Sequence, residues 1–224
     1  MVWFRRTSAV SPARTLLAVC LFAALQQVSA ETLEVTVTDP DGNAVPDVVV
    51  YLKGAAASSA PPGKTAVMDQ VDKRFVPHVL VVQTGTSVEF PNSDTIAHHV
   101  YSFSHPNHFK LPIYKGDIHP PVAFDDEGIV VLGCNIHDQM LGYIAVVDTP
   151  VFAKTDDAGI ATLTIGEVPD GIVSVWSPRI RDDAESLSVS LEERPGKQQI
   201  AFRLTKNLRP PHDQNSEALA WSDY

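Results

Sequence analysis

The chain has 224 residues, with 27 Asp and Glu against 17 Lys and Arg, giving a net charge of −10. So acidic a balance argues against nucleic acid as a partner, because phosphate binding calls for clustered basic side chains. With 44% apolar residues and only 2 Cys, the composition is that of a globular chain with no dense disulfide framework.

Met1 to Ala30 carries Arg5, Arg6 and Arg14, then an apolar run from Leu16 to Leu25, and ends Val28-Ser29-Ala30. This is the pattern of a secretory signal peptide, and the run is too short to span a bilayer, which needs about 18 consecutive apolar residues or more. Cys20 lies behind Val19 rather than a small residue, a poor fit to a lipid-anchor signal. No later segment is apolar for long enough, so the expectation is an exported, periplasmic protein with no membrane span. The leader holds three of the basic residues and none of the acidic ones, so the remainder has a net charge of −13. Steering toward a basic redox partner is one reading of that charge and plain solubility the other. Removal of the leader also takes Cys20 and leaves Cys134 as a single thiol. An intrachain disulfide is then ruled out, and a metal ligand explains a lone thiol in an oxidising compartment better than an inert buried cysteine.

Beyond the leader the pattern is β throughout. Leu33 to Thr38 alternates strictly between apolar and polar, Asp39-Pro-Asp-Gly42 reads as a turn, and Val48 to Leu52 as a second strand. Ala55 to Gly63, rich in Ala, Ser and Pro, reads as a linker. Thr65 to Asp69, Phe75 to Gln83 and Ser87 to Phe90 supply further strands. After Asp148-Thr-Pro150, strands at Ala161 to Ile165, Ile172 to Trp176, Ser186 to Leu191 and Gln198 to Leu204 alternate with turns at Thr155 to Gly159 and Pro169 to Gly171. Turn signals about every 8–12 residues are those of a β-sandwich. Asn207 to Tyr224, with Pro210-Pro211 and scattered polar residues, reads as a flexible tail.

One stretch carries chemistry. Val131 to Val146 reads as strand, tight loop and strand, and the loop places a thiol, an imidazole and a thioether at Cys134, His137 and Met140. A type 1 copper site uses a His2Cys plane with a weak axial Met, so one further His is required. A candidate stands 36 residues upstream, in Phe90-Pro-Asn-Ser-Asp-Thr-Ile-Ala-His98-His99-Val100. Copper(I) favours soft sulfur and copper(II) favours nitrogen, so a rigid sandwich holding both donor types suits a carrier of single electrons. Zinc is poorly served, because structural zinc sites use more thiolates or imidazoles and no thioether. With all positions filled there is no open place for a substrate, which argues against an enzyme.

These residues resemble the cupredoxins, the plastocyanin- and amicyanin-like type 1 copper proteins. The Cys-x2-His-x2-Met spacing of Cys134, His137 and Met140 is similar to that of amicyanin. Asn92, six residues before His98, and the lead-in Gly85-Thr-Ser-Val-Glu-Phe-Pro-Asn92 also resemble the family, as does the run Gly142 to Val146. The likeness covers residues 64 to 148. It implies one copper ion held by His98, Cys134, His137 and Met140, with His137 at the solvent edge where electrons leave toward a cytochrome or dehydrogenase. The flanking strands resemble transthyretin-like and carboxypeptidase-regulatory-like modules. The implied architecture is all-β: residues 31–60 with 149–206 as a support sandwich, and residues 61–148 as a Greek-key cupredoxin sandwich inserted in it. The wording Ala97-His-His-Val-Tyr-Ser102 and Gly133 to Met140 also resembles the cupredoxin-type chains called methylamine utilisation proteins in bacteria, which implies amine oxidation as a setting.

The sequence departs from the family at three places. His99 stands where the family carries an Asn that ties the two ligand loops together, so either His99 makes a similar bond or it competes with His98 for the metal. Ala97 replaces the usual Pro, and Asp138 follows His137 where an apolar residue or Pro is common. Three more histidines, His105, His108 and His119, read either as a second metal site or as solvated loop residues. A copper storage or delivery protein, and an envelope module whose copper is incidental, are the rival functions.

Overall fold

The computed structural model describes residues 32–54, 63–105, 107–116, 119–165, 171–191 and 198–212. The expected leader, most of the Ala/Ser/Pro linker, and residues 213–224 of the expected tail lie outside them. Among the described residues no helix is long and apolar enough to cross a membrane.

The strands in chain order are β1 (Thr32–Thr38), β2 (Val49–Lys53), β3 (Thr65–Val67), β4 (Asp69–Val71), β5 (Arg74–Val76), β6 (Val79–Gln83), β7 (Thr86–Glu89), β8 (Tyr101–Ser102) and β9 (Phe109–Lys110). They continue with β10 (Val122–Phe124), β11 (Gly128–Gly133), β12 (Leu141–Val147), β13 (Phe152–Lys154), β14 (Ile160–Thr164), β15 (Gly171–Trp176), β16 (Ser188–Leu191) and β17 (Gln198–Arg203). A 3-10 turn at Ala184–Leu187 precedes β16. The chain is all-β.

Strict alternation decides β1. Leu33, Val35 and Val37 are fully buried while their neighbours are half-exposed, because successive side chains point to opposite faces. β1 pairs antiparallel with β14 (Leu33 opposite Leu163) and parallel with β17 (Val35 opposite Ile200). The sheet β13-β2-β15-β16 contributes the rest of this core through Val50, Leu52, Val173 and Val175. Every buried member of the cluster comes from residues 33–52 or 161–204. A second cluster, including Phe75, Val88, Phe124, Leu132, Cys134 and Ile144, draws only on residues 68–146.

Two strands join the clusters. Val48, Val50 and Leu52 face the first core, whereas Val49 and Tyr51 face away from it. On β12, Ile144 and Val146 face the second core, whereas Tyr143 and Ala145 face away. Val49, Val79 and Ala145 meet in a seam flanked by Tyr143 and Trp176. Both faces of β2 and β12 are therefore covered, which is why each reads as an unbroken apolar run rather than an alternation.

The expected strand from Phe75 to Gln83 is divided into β5 and β6 at Pro77, which has no N–H to give to a ladder. β5 folds back on β4 through a two-residue turn, Asp72 (φ 50°) and Lys73 (φ 58°). Two consecutive positive φ values are the signature of a hairpin turn whose twist matches its strands. Residues 207–212, expected to begin a flexible tail, are instead tied to the body. The Arg209 N–H donates to the Arg179 carbonyl at 2.8 Å, and its guanidinium to the carbonyls of Pro178 and Ile180. A ring nitrogen of His212 reaches the Gln139 carbonyl at 2.8 Å.

The site is positioned by the sheet β6-β12-β11-β8-β9. β11 and β12 are antiparallel neighbours with Gly133 opposite Leu141, so the seven residues Cys134 to Met140 form the loop between them. Gly133 also pairs with Tyr101 of β8, which brings the segment after His98 alongside the start of that loop.

Candidate metal centre

His98 is placed by its backbone. It exchanges both N–H···O bonds with Tyr114, each 3.0 Å. Asn92 shapes the approach to it: its amide donates to the carbonyls of Ile96 and Tyr114, both at 3.0 Å, and its oxygen accepts the Asp94 N–H at 3.0 Å. The Tyr114 hydroxyl donates to the Phe90 carbonyl and accepts from the Gln70 amide, which also donates to the Pro91 carbonyl at 2.9 Å. Burial pushes the Tyr114 phenol up to about 12. It therefore stays protonated as a donor throughout the ordinary pH range.

The ligand loop holds two tight turns. Cys134 directly follows β11 and is 3% exposed; Asn135 and Ile136 turn outward; His137 returns half-buried. The Met140 N–H then donates to the His137 carbonyl at 2.9 Å. The Met140 side chain lies in the same buried cluster as Cys134. Gly133 admits the ring of Tyr101, whose atoms would stand 2.8 Å from any Cβ built there.

Three of the four sequence-predicted donors converge. Cys134 Sγ lies 4.0 Å from His98 Nδ1 and 3.8 Å from His137 Nδ1, and the two Nδ1 atoms are 3.1 Å apart. A triangle with those sides has a circumradius of about 2.1 Å, against metal–imidazole distances of about 2.0–2.1 Å and metal–thiolate distances of about 2.3 Å. One ion in the plane of the three atoms would therefore be within bonding reach of all of them. Two imidazole nitrogens and one sulfur are a donor set that suits copper. Among the described residues this is the one group of three metal-binding side chains brought together.

The electrostatics favour a neutral ring at His137. Burial first, and then the neighbouring His98, hold the His137 imidazole below the usual histidine value, so it is uncharged at neutral pH. His98 is fully buried, and its Nε2 is 3.0 Å from Asp94 Oδ2. Burial raises the Asp94 carboxyl, but the bond to His98 and the N–H groups of Lys73 and Thr95 outweigh it, leaving the group below the usual carboxylate value.

His99 does not join the triangle. Its ring packs against Tyr101 with centroids 5.5 Å apart, and its buried Nδ1 has no hydrogen-bond partner. Its backbone N–H, however, donates to Cys134 Sγ at 3.4 Å, so this position ties the two loops through its main chain. His105 is exposed, His108 stacks on Phe103, and His119 packs edge-on against Tyr114. Exposed Ile136 and Asp138 flank the half-buried His137. The residues that sequence reasoning passed over are Asp94, Lys73, Gln70 and Tyr114. Asp94 alone had a visible signal, an acid four residues before a candidate ligand.

No protein-family model and no curated protein matches the chain. Among solved structures it is similar to a copper-containing nitrite reductase from Thermus scotoductus SA-01, with 25% identity over 50% of this chain and a TM-score of 0.36. The matched part spans 28% of that enzyme's length. It is also similar to a purple cupredoxin from Nitrosopumilus maritimus, with 21% identity, 37% of this chain, 98% of that one and a TM-score of 0.32. A reduced amicyanin variant is similar over 43% of this chain and 97% of its own, at 19% identity and a TM-score of 0.35.

Proposed function

We propose that this chain is a type 1 copper electron carrier in which His98, Cys134 and His137, with Met140 buried in the same cluster, would hold one ion. The observation that carries the reading is the donor triangle: two imidazole nitrogens and one sulfur from two separate chain segments, spaced to share one centre. When bound, copper would supply a one-electron couple between its +2 and +1 states, and a donor set of two imidazoles and sulfur is acceptable to both.

The chain's own residues supply the rest. The Tyr114 pairing and the Asn92 bonds fix His98, the β11–β12 hairpin fixes Cys134, and the turn from His137 to Met140 fixes the other two. Donors held in this way need little rearrangement when the electron moves. His98 and Cys134 are shut away from water, so the half-buried ring of His137 is the edge a redox partner would meet. Residues 61–148 carry the site, and residues 31–60 with 149–206 act as its support through the seam at Val49, Val79 and Ala145. A periplasmic setting is supported by the leader pattern, and a place in amine oxidation only by the sequence resemblance.

The test is reduction of the copper-loaded protein. A carrier shows a strong visible thiolate band that bleaches with a reductant and returns on reoxidation, with copper retained throughout. Release of copper on reduction would instead support storage or delivery.

A further inference from the structure

We propose that Asp94 is a positioning residue of this centre: its carboxylate takes the Nε2–H of His98, fixes the ring in one tautomer, and strengthens Nδ1 as a donor to the metal. The proposal rests on the reading of the cluster as a copper site, but its first part concerns only the protein.

His98 is 0% exposed, so no bulk water reaches its ring. The two ring nitrogens face different surroundings. Nδ1 looks toward His137 and Cys134, and Nε2 looks toward Asp94 Oδ2 at 3.0 Å. An ionised carboxylate can only accept, so the proton of the neutral ring sits on Nε2 and the lone pair on Nδ1. This is the orientation a metal at the centre of the triangle requires. A carboxylate behind a ligating imidazole also makes it more basic, and such partners typically change metal affinity about 10–100-fold.

Asp94 is itself held from three sides. Oδ2 accepts the Lys73 N–H at 2.8 Å, Oδ1 accepts the Thr95 N–H at 2.7 Å, and the Asp94 N–H donates to Asn92 Oδ1 at 3.0 Å. The Lys73 amide is presented by the positive-φ turn between β4 and β5. A second clip ties that hairpin to the same loop: Asp69 accepts from the Ser93 N–H at 3.2 Å and its hydroxyl at 2.7 Å. The hairpin thus fixes where the carboxylate stands, and the carboxylate fixes how His98 turns. Its negative charge, close to the ion's seat, favours the more highly charged state of copper and so lowers the reduction potential.

Two readouts test this. In the metal-free protein, long-range proton–nitrogen NMR should show His98 solely as the Nε2–H tautomer, and Asp94→Ala should populate the Nδ1–H form. In the copper-loaded protein, Asp94→Asn, which keeps an acceptor but removes the charge, should raise the reduction potential, and Asp94→Ala should weaken copper binding about 10–100-fold. Ser93→Ala, which loosens the same loop through its other clip, should leave tautomer and potential unchanged. A tautomer unaffected by Asp94→Ala, or a potential that moves equally in Ser93→Ala and Asp94→Asn, overturns the proposal and leaves Asp94 as a loop cap. The NMR arm needs no metal, so it decides the positioning role even if the wild-type chain binds no copper.

Discussion

The backbone N–H of His99 points at the sulfur of Cys134 from 3.4 Å, joining the residue after one ligand to another ligand 35 positions later in the chain. The contact is made by protein atoms on both sides, so it ties the two ligand loops through the chain itself. Copper should therefore stabilise a chain that is already folded. At free copper about 100 times above Kd the gain is about 2.7 kcal/mol. Thermal unfolding with and without copper measures it, and Cys134→Ser should lose most of the gain while keeping the metal-free midpoint near that of the wild type.

Gly142 lies two residues after Met140, where a Cβ would stand 2.7 Å from the Cβ of Phe75. Both residues belong to elements with little room to move, since Phe75 is 1% exposed in the second core. Gly142→Ala should cost about 1–3 kcal/mol, the usual range for overpacking. Urea denaturation reads this directly, and a loss below about 0.5 kcal/mol would show that β12 can shift.

Tyr114 buttresses His98 from behind, with its hydroxyl between the Gln70 amide and the Phe90 carbonyl. Tyr114→Phe leaves buried polar atoms without their partner and should cost about 1–3 kcal/mol. The pH dependence has a definite sign. Burial raises the folded-state phenol from 10.0 to about 12, so its contribution is complete below pH 10 and declines as pH rises toward 12, where only the unfolded chain gives up the proton. Denaturation across that window should show wild-type stability falling and the Phe variant following a flatter course.

Asp182 secures the chain just past β17. Its carboxylate accepts the Thr205 N–H at 2.6 Å, the Thr205 hydroxyl at 2.8 Å and the Lys206 N–H at 3.1 Å. Burial raises its pKa, but these donors outweigh burial and hold it below the ordinary value of 3.8. Its contribution is therefore present above that value and is lost as pH falls through the lower, folded-state one. Acid unfolding of Asp182→Asn should have a shallower limb than the wild type.

Much of this was legible in the sequence because it is local. The alternation of Leu33 to Thr38 gives β1, the run Val48 to Leu52 gives β2, and Val131 to Val146 gives the strand, loop and strand of β11 and β12. Cys134 and His137 are three residues apart, so one turn is enough to bring them together. What escaped depends on contacts across distance. Strands β8, β9 and β13 have only two or three residues each, too few for a period to show. Asp94 reads as a turn former in Asn-Ser-Asp-Thr, and only the fold reveals that its carboxylate faces the far side of His98. The bonds of Arg209 and His212 pair residues about 30 and 73 positions apart, and nothing in a polar, proline-containing tail announces them.

The account stands on one ion sharing His98, Cys134 and His137, and X-ray absorption at the copper edge of the loaded protein tests that most directly. It should give a first shell of two imidazole nitrogens at about 2.0 Å and one sulfur near 2.2–2.3 Å, at one copper per chain, with the sulfur lost in Cys134→Ser. A shell of nitrogen and oxygen alone, unchanged by that substitution, would contradict it.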